Sequence, residues 1–233
     1  MKLLIDDANV EKMREIMGIF PIDGVTTNPA ILCRCGNDMY GMLRGIRKLL
    51  GEERELHVQV IARDTEGILR DAQAIRQAIP GNLFIKVPVT REGLAAIPFL
   101  KSRGYGVTAT TVLNATQAFL AAKAGADYIA PYVNRIESMG TNGFEALAEM
   151  AEIYESNGFS TQILAASFKN IRQVLDMARL GIASMTIPSE LFDKFLTESV
   201  VTEAVDASTR VFEEKCGPGS NMASILRKDD ISG

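Results

Sequence analysis

Lys86 lies in the middle of an apolar run, Asn82-Leu-Phe-Ile-Lys-Val-Pro-Val89. Bounded by Pro80-Gly81 and by Thr90, this run reads as a fully buried parallel strand. Such strands rarely carry an ammonium group, because an unpaired buried charge is costly. Burial favours the neutral amine, and a neutral amine in a dry pocket is a nucleophile toward carbonyls. On this strand alone two plainer explanations compete: a lysine paired with a buried carboxylate, and one whose head snorkels to the strand end.

Other short runs carry polar residues that can be phased to the same side as Lys86. Asp6 lies near the end of the first run, and Thr26 and Asn28 share a face of the second. Gln59 belongs to the third, Thr108 and Thr110 to the fifth, Tyr132 and Asn134 to the sixth. Ser167 ends the seventh and Thr186 is near the end of the eighth. Each has a blander reading, since Thr and Asn cap helices and Gln or Tyr can be satisfied core residues. Gathered around one buried lysine they predict a carbonyl-attacking active site. Arg135, with Ser167 just before a helix N-terminus, would make an anion site, or Arg135 simply forms a surface ion pair. His57 shares a face with Gln59 one layer deeper, as interior packing or as support for Gln59.

These residues need a scaffold that brings strand ends together. Eight strand-like runs appear: Leu3–Asp7, Gly24–Asn28, Glu55–Val60, Leu83–Val89, Gly106–Val112, Tyr128–Val133, Gln162–Ser167 and Ser184–Pro188. Helical periodicity separates them, as in Val10, Met13, Met17 and Phe20, or in Met39, Leu43, Ile46 and Leu50. Asn114 with Gln117 reads as a capping pair, and Gly181 as a helix stop. Pro98 weakens the helix expected from about Thr90 to Arg103. Strand–helix alternation predicts an α/β chain folded as a single (β/α)8 TIM barrel over 1–215, with Lys86 on strand four and an extra helix at about Thr197 to Lys215. A doubly wound sheet is disfavoured, because no glycine-rich loop follows the first strand. Residues 216–233 read as a flexible tail.

Composition narrows the class. The chain has 233 residues, 47% hydrophobic and 23% charged, with net charge −4, which argues against nucleic-acid binding. No stretch approaches the length of a membrane helix. The start, Met1-Lys-Leu-Leu-Ile-Asp-Asp7, reads as a first strand and not a signal peptide, so cytoplasmic residence is expected. Cys33, Cys35 and Cys216 are expected to be free thiols, the first two serving packing or a loop. His57 is the only histidine, which argues against a zinc site.

Four stretches resemble the transaldolase family, in particular its short fructose-6-phosphate aldolase branch. They are Asp23-Gly-Val-Thr-Thr-Asn-Pro-Ala30, Ile85-Lys-Val-Pro-Val-Thr90 with Glu92-Gly-Leu-Ala-Ala-Ile97, Ala124-Gly-Ala-Asp-Tyr-Ile-Ala-Pro-Tyr-Val-Asn-Arg-Ile136, and Leu164-Ala-Ala-Ser-Phe-Lys169. The resemblance runs from about Leu3 to about Lys215. It implies a class I aldolase acting on a sugar phosphate without metal or cofactor. Lys86 falls on the family's Schiff-base lysine, Asp6 and Asn28 on residues that hold donor hydroxyls, and Arg135 and Ser167 on the phosphate-binding pair. Gln59 and Tyr132 match the aldolase branch, where transaldolases have Glu and Phe. A phenol sharing a water with Gln59 and Thr110 can protonate the three-carbon carbanion, which Phe cannot.

The implied reaction is reversible cleavage of fructose 6-phosphate to dihydroxyacetone and glyceraldehyde 3-phosphate. The alternatives are a transaldolase, a relative using a deoxy- or sulfo-sugar phosphate, and a non-catalytic sugar-phosphate-binding barrel. Three residues depart from the family pattern: His57, Thr108 and Thr111. The last helix carries an apolar stripe, Val200, Val201, Ala204, Val205, Ala207 and Val211, which must pack on something. Resemblance implies packing between subunits, in pentamers stacked as a decamer.

Overall fold

The computed structural model describes residues 1–196 and 199–226. The chain opens with β1 (Lys2–Asp6), α1 (Val10–Met17), β2 (Gly24–Thr26), α2 (Pro29–Cys35), α3 (Met39–Leu50) and β3 (Glu55–Gln59). It continues through α4 (Thr65–Ala78), β4 (Leu83–Pro88), α5 (Arg91–Ser102), β5 (Gly106–Val112), α6 (Ala115–Lys123) and β6 (Tyr128–Pro131). Next come α7 (Val133–Ser138), α8 (Gly143–Asn157), β7 (Gln162–Ala165), α9 (Ile171–Leu180), β8 (Ser184–Pro188) and α10 (Ser189–Phe192). The strands pair in parallel in chain order and β1 pairs with β8, closing a (β/α)8 barrel.

Local sequence explains where each helix begins. Asn9, Asp38, Asp64, Thr90, Asn114 and Asn170 each accept a hydrogen bond from a backbone N–H in the following first turn, satisfying a donor that no carbonyl can reach. Three strands, β2, β6 and β7, stop two residues earlier than their runs suggest. Asn28 caps α2 and Pro29 follows at its first turn, so β2 ends at Thr26. Tyr132 keeps only an isolated bridge to Ala166 and begins α7, so β6 ends at Pro131. Gln117 does not complete a capping box on Asn114; its Oε1 accepts from the Leu113 N–H instead, at 2.7 Å. Pro98 sits inside α5, which nevertheless runs on to Ser102.

Gly93 fixes how α5 leaves the strand that carries Lys86. A Cβ at this position would collide with the Pro88 carbonyl oxygen, an atom of β4. Backbone cannot swing aside as a flexible side chain would. Gly93→Ala is therefore expected to destabilise the barrel by about 1–3 kcal/mol, read as a lower urea midpoint at unchanged slope. An unchanged midpoint would show that the end of β4 yields freely.

Met1–Lys194 form one compact unit and the chain from Phe195 onward forms a second. The division thus falls before the last long helix, which the sequence groups with the barrel. Thr197, its expected start, lies outside the described residues, and α11 spans Ser199–Cys216. Within 216–226, expected as tail, α12 (Met222–Ile225) is closed by a capping box between Asn221 and Ser224; 227–233 lie outside the described residues. Among the described residues no helix is long and apolar enough to cross a membrane.

Candidate active site

The C-terminal ends of the strands surround a cleft of about 340 Å³, the end at which barrels of this kind assemble sites from several loops. Lys86 is 3% exposed and lines this cleft together with Asp6, Asn28, Tyr132 and Ser167. Its ammonium group donates to the Thr27 carbonyl oxygen at 2.9 Å. No carboxylate lies within ion-pair distance of Lys86 among the described residues, although its charge acts on the buried Asp6 carboxyl. Nor does Lys86 snorkel to solvent.

Asp6 is held from below. The Thr26 hydroxyl donates to Asp6 Oδ1 at 2.6 Å. Because that uses the one proton Thr26 has, the 2.8 Å contact between Thr26 and Thr186 must have Thr186 as donor. Burial pushes the Asp6 carboxyl above its ordinary range, while the charge on Lys86 and the Thr26 hydrogen bond oppose the shift. Thr26 is fully buried and does not line the cleft; its hydroxyl is engaged with Asp6. Asn28 does both jobs the sequence left open: its Oδ1 caps α2 at Ile31, and the residue lines the cleft.

Thr110 and Tyr132 meet across β5 and β6, their hydroxyl oxygens 3.3 Å apart. The β5–β6 register slips between Thr110 and Val112, and Thr111 at the slip has φ 62°. A threonine in that left-handed region is strained, and bulges beside sites commonly re-aim a neighbouring side chain. Gln59 is the register partner of Lys86 on the other side. Its Oε1 is buried without a hydrogen-bond partner, an acceptor still waiting for a donor. Gln59 and Thr110 are not among the residues lining the 340 Å³ cleft; Gln59 borders two neighbouring cavities at β3.

Ser167 lines the cleft in a left-handed conformation, φ 65°. Arg135 is exposed on α7 and does not line the cleft. It stays beside Ser167 through the backbone, since the Asn134 N–H donates to the Ser167 carbonyl at 3.2 Å. The cations that do line the cleft besides Lys86 are Arg34 and Lys169, and Asp7 and Glu190 line it too. Sequence reasoning missed these four. Asp7 and Lys169 adjoin residues it singled out, whereas Arg34 had no signal. Arg34 stands between Cys33 and Cys35, which are exposed on a helix rather than packed or looped, because the Asn28-Pro29 start makes that segment α2. Among the described residues no group of three or more His, Cys, Asp or Glu side chains could hold a metal ion.

A parallel barrel whose mouth presents a buried amine, a raised carboxyl and a phenol defines a site suited to carbonyl chemistry. The sequence matches the family model described as Transaldolase/Fructose-6-phosphate aldolase over residues 3–230, and the chain belongs to that family. It is a transaldolase-like aldolase, and the match continues past Lys215, where the resemblance read from motifs ends.

Proposed function

We propose that the protein is a class I aldolase that reversibly cleaves fructose 6-phosphate to dihydroxyacetone and glyceraldehyde 3-phosphate. The observation that carries this is Lys86, buried, in no ion pair among the described residues and opening on the same cleft as Asp6 and Tyr132. The neutral amine attacks C2 of the open-chain ketose, and loss of water leaves an iminium. The bond between C3 and C4 then breaks as the C4 hydroxyl gives up its proton. Its electron pair is taken up by the iminium as an enamine, and glyceraldehyde 3-phosphate leaves. Protonation of the enamine carbon and hydrolysis of the imine release dihydroxyacetone and restore Lys86.

Tyr132 serves these proton transfers through a water held with Gln59 and Thr110. The Thr110–Tyr132 contact and the partnerless Gln59 Oε1 support that role. Asp6 and Asn28 orient donor hydroxyls. Ser167 and Arg135 hold the phosphate, with Lys169 in the cleft wall adding charge on the Ser167 side. We place the enzyme in the cytoplasm as a homo-oligomer; exposed Val200, Val201, Val205 and Val211 on α11 support burial against a further copy.

Incubation with fructose 6-phosphate alone tests the reading. Steady multiple-turnover release of free dihydroxyacetone is expected without any acceptor aldehyde. Silence that ends on adding erythrose 4-phosphate would instead make it a transaldolase, and silence with both, alongside turnover of another ketose phosphate, would move the substrate.

A further inference from the structure

Below Lys86 the barrel interior should be apolar, and in part it is: Leu4, Tyr128 and Leu164 cluster there with Phe84. Yet a continuous polar chain crosses this layer. Lys2, at the opposite mouth and 44% exposed in its side chain, donates to Glu55 Oε1 at 2.6 Å and to the Tyr128 hydroxyl at 2.9 Å. Tyr128 donates in turn to the same Glu55 oxygen at 3.0 Å. Glu55 Oε2 lies 3.3 Å from His57 Nε2, and His57 Nδ1 lies 2.8 Å from Thr108 Oγ1. Thr108 is the register partner of Lys86 on β5 and shares its face of the sheet. His57 is fully buried and stacks on Phe84 at 4.7 Å. His57 and Thr108, two of the three residues that depart from the family pattern, are hydrogen-bonded to each other. The reaction proposed above uses none of this chain, although polar groups in such a layer are costly to keep.

The charges decide how the chain is wired. Burial alone would push the Glu55 carboxyl up, but the hydrogen bonds from His57 and Lys2 and the charge on Lys2 hold it below its ordinary range, so it is ionised. Burial pushes the His57 imidazole below its ordinary value; Glu55 opposes this, and the charges of Lys86 and Lys2 add to it. Lys2 and Asp6 on β1, Glu55 on β3, Lys86 on β4 and Tyr128 on β6 are the titratable groups facing this part of the interior. A neutral ring beside an ionised Glu55 carries its proton on Nε2 and accepts at Nδ1 from the Thr108 hydroxyl. Thr108 then has only lone pairs left for the layer of Lys86.

We propose that Lys2, Glu55, His57 and Thr108 form a positioning relay that keeps the imidazole uncharged, so that the iminium on Lys86 meets no second cation from the layer beneath it. The inference rests on the imine reading of Lys86. Lys2 is the remote control of the relay, because it cancels the Glu55 charge. Without Lys2, the uncompensated carboxylate draws a proton onto His57, and an imidazolium there repels the iminium.

His57 is the only histidine in the chain, so nitrogen NMR of the full-length protein reports its charge and tautomer without assignment. The wild type should show a neutral Nε2–H ring at neutral pH, since burial lowers the imidazole below its ordinary value. In Lys2→Met the imidazole should titrate about one unit or more higher than in the wild type. Borohydride trapping with fructose 6-phosphate should then acquire an acidic limb at the same midpoint, falling about tenfold one unit below it. Lys2→Arg should restore the wild-type profile, and His57→Phe in the Lys2→Met background should erase the limb. Lys2→Gln serves the same purpose should Lys2→Met not fold. A charged ring in the wild type at neutral pH overturns the proposal. So does a Lys2→Met ring that charges with no matching limb, or one that does not change. A wild type that traps no adduct removes the imine reading itself, whereas a trapping wild type without the limb in Lys2→Met removes this inference alone.

Discussion

Lys86→Met should leave a folded barrel that traps no borohydride-stable adduct and loses kcat/KM on the order of 10⁴-fold or more. Methionine suits the site as a control. It matches the lysine stem in length, adapts to irregular space and removes only the amine. The one hydrogen bond lost is that from the ammonium group to the Thr27 carbonyl, at 2.9 Å. No ion pair is broken by the change among the described residues, and the buried Asp6 carboxyl, losing the Lys86 charge that opposes its rise, is pushed further toward its neutral, protonated form. Circular dichroism and urea midpoint should therefore stay near the wild type while chemistry disappears. Mass spectrometry after borohydride treatment with fructose 6-phosphate reads the outcome directly. An adduct of unchanged yield in the variant would put the covalent step on another lysine, and Lys169, which also lines the cleft, would be the first to examine.

How far the sequence could be read depended on whether a signal was local. The apolar runs foretold the strands to within a residue or two at most ends, because buried parallel strands must be continuously apolar. Lys86 stood out within one such run by its charge. The end of β2 was misjudged where Asn28-Pro29, a helix start, competed with extended periodicity. The polar residues at strand ends were visible, but their partnerships were not. Nothing local told that the Thr26 hydroxyl would be hydrogen-bonded to Asp6. The bulge at Thr111 requires knowing the register between β5 and β6, a non-local quantity. Arg34 reaches the cleft only because α2 folds across the mouth beside Asn28, and no periodicity announces that. His57 and Thr108 looked like two unrelated departures until closure of the barrel put them 2.8 Å apart.

In the reaction proposed above Tyr132 and Gln59 govern what happens to the three-carbon enamine, and replacing the pair should change the reaction type. Tyr132→Phe is expected to slow release of free dihydroxyacetone from fructose 6-phosphate by about 10²–10³-fold, the span of a lost general acid–base group. The fold should tolerate the change, because among the described residues the Tyr132 hydroxyl has only the 3.3 Å contact with Thr110 to lose, and the ring is otherwise kept. Adding Gln59→Glu places a carboxylate beside Lys86 on β3, where the register sets residue 59 level with the lysine. With the Tyr132 proton donor gone and the amide that helps hold its water replaced, the enamine is protonated more slowly and waits longer for an acceptor. The double variant should accumulate trappable adduct and transfer the three-carbon unit to erythrose 4-phosphate faster than it releases it to water, reversing the wild-type ratio. Ratios measured by following dihydroxyacetone and sedoheptulose 7-phosphate in one reaction decide the matter. Undiminished dihydroxyacetone release by Tyr132→Phe would move the proton donor elsewhere, and Asp6, whose carboxyl burial already pushes toward its protonated form, is then the group the geometry offers.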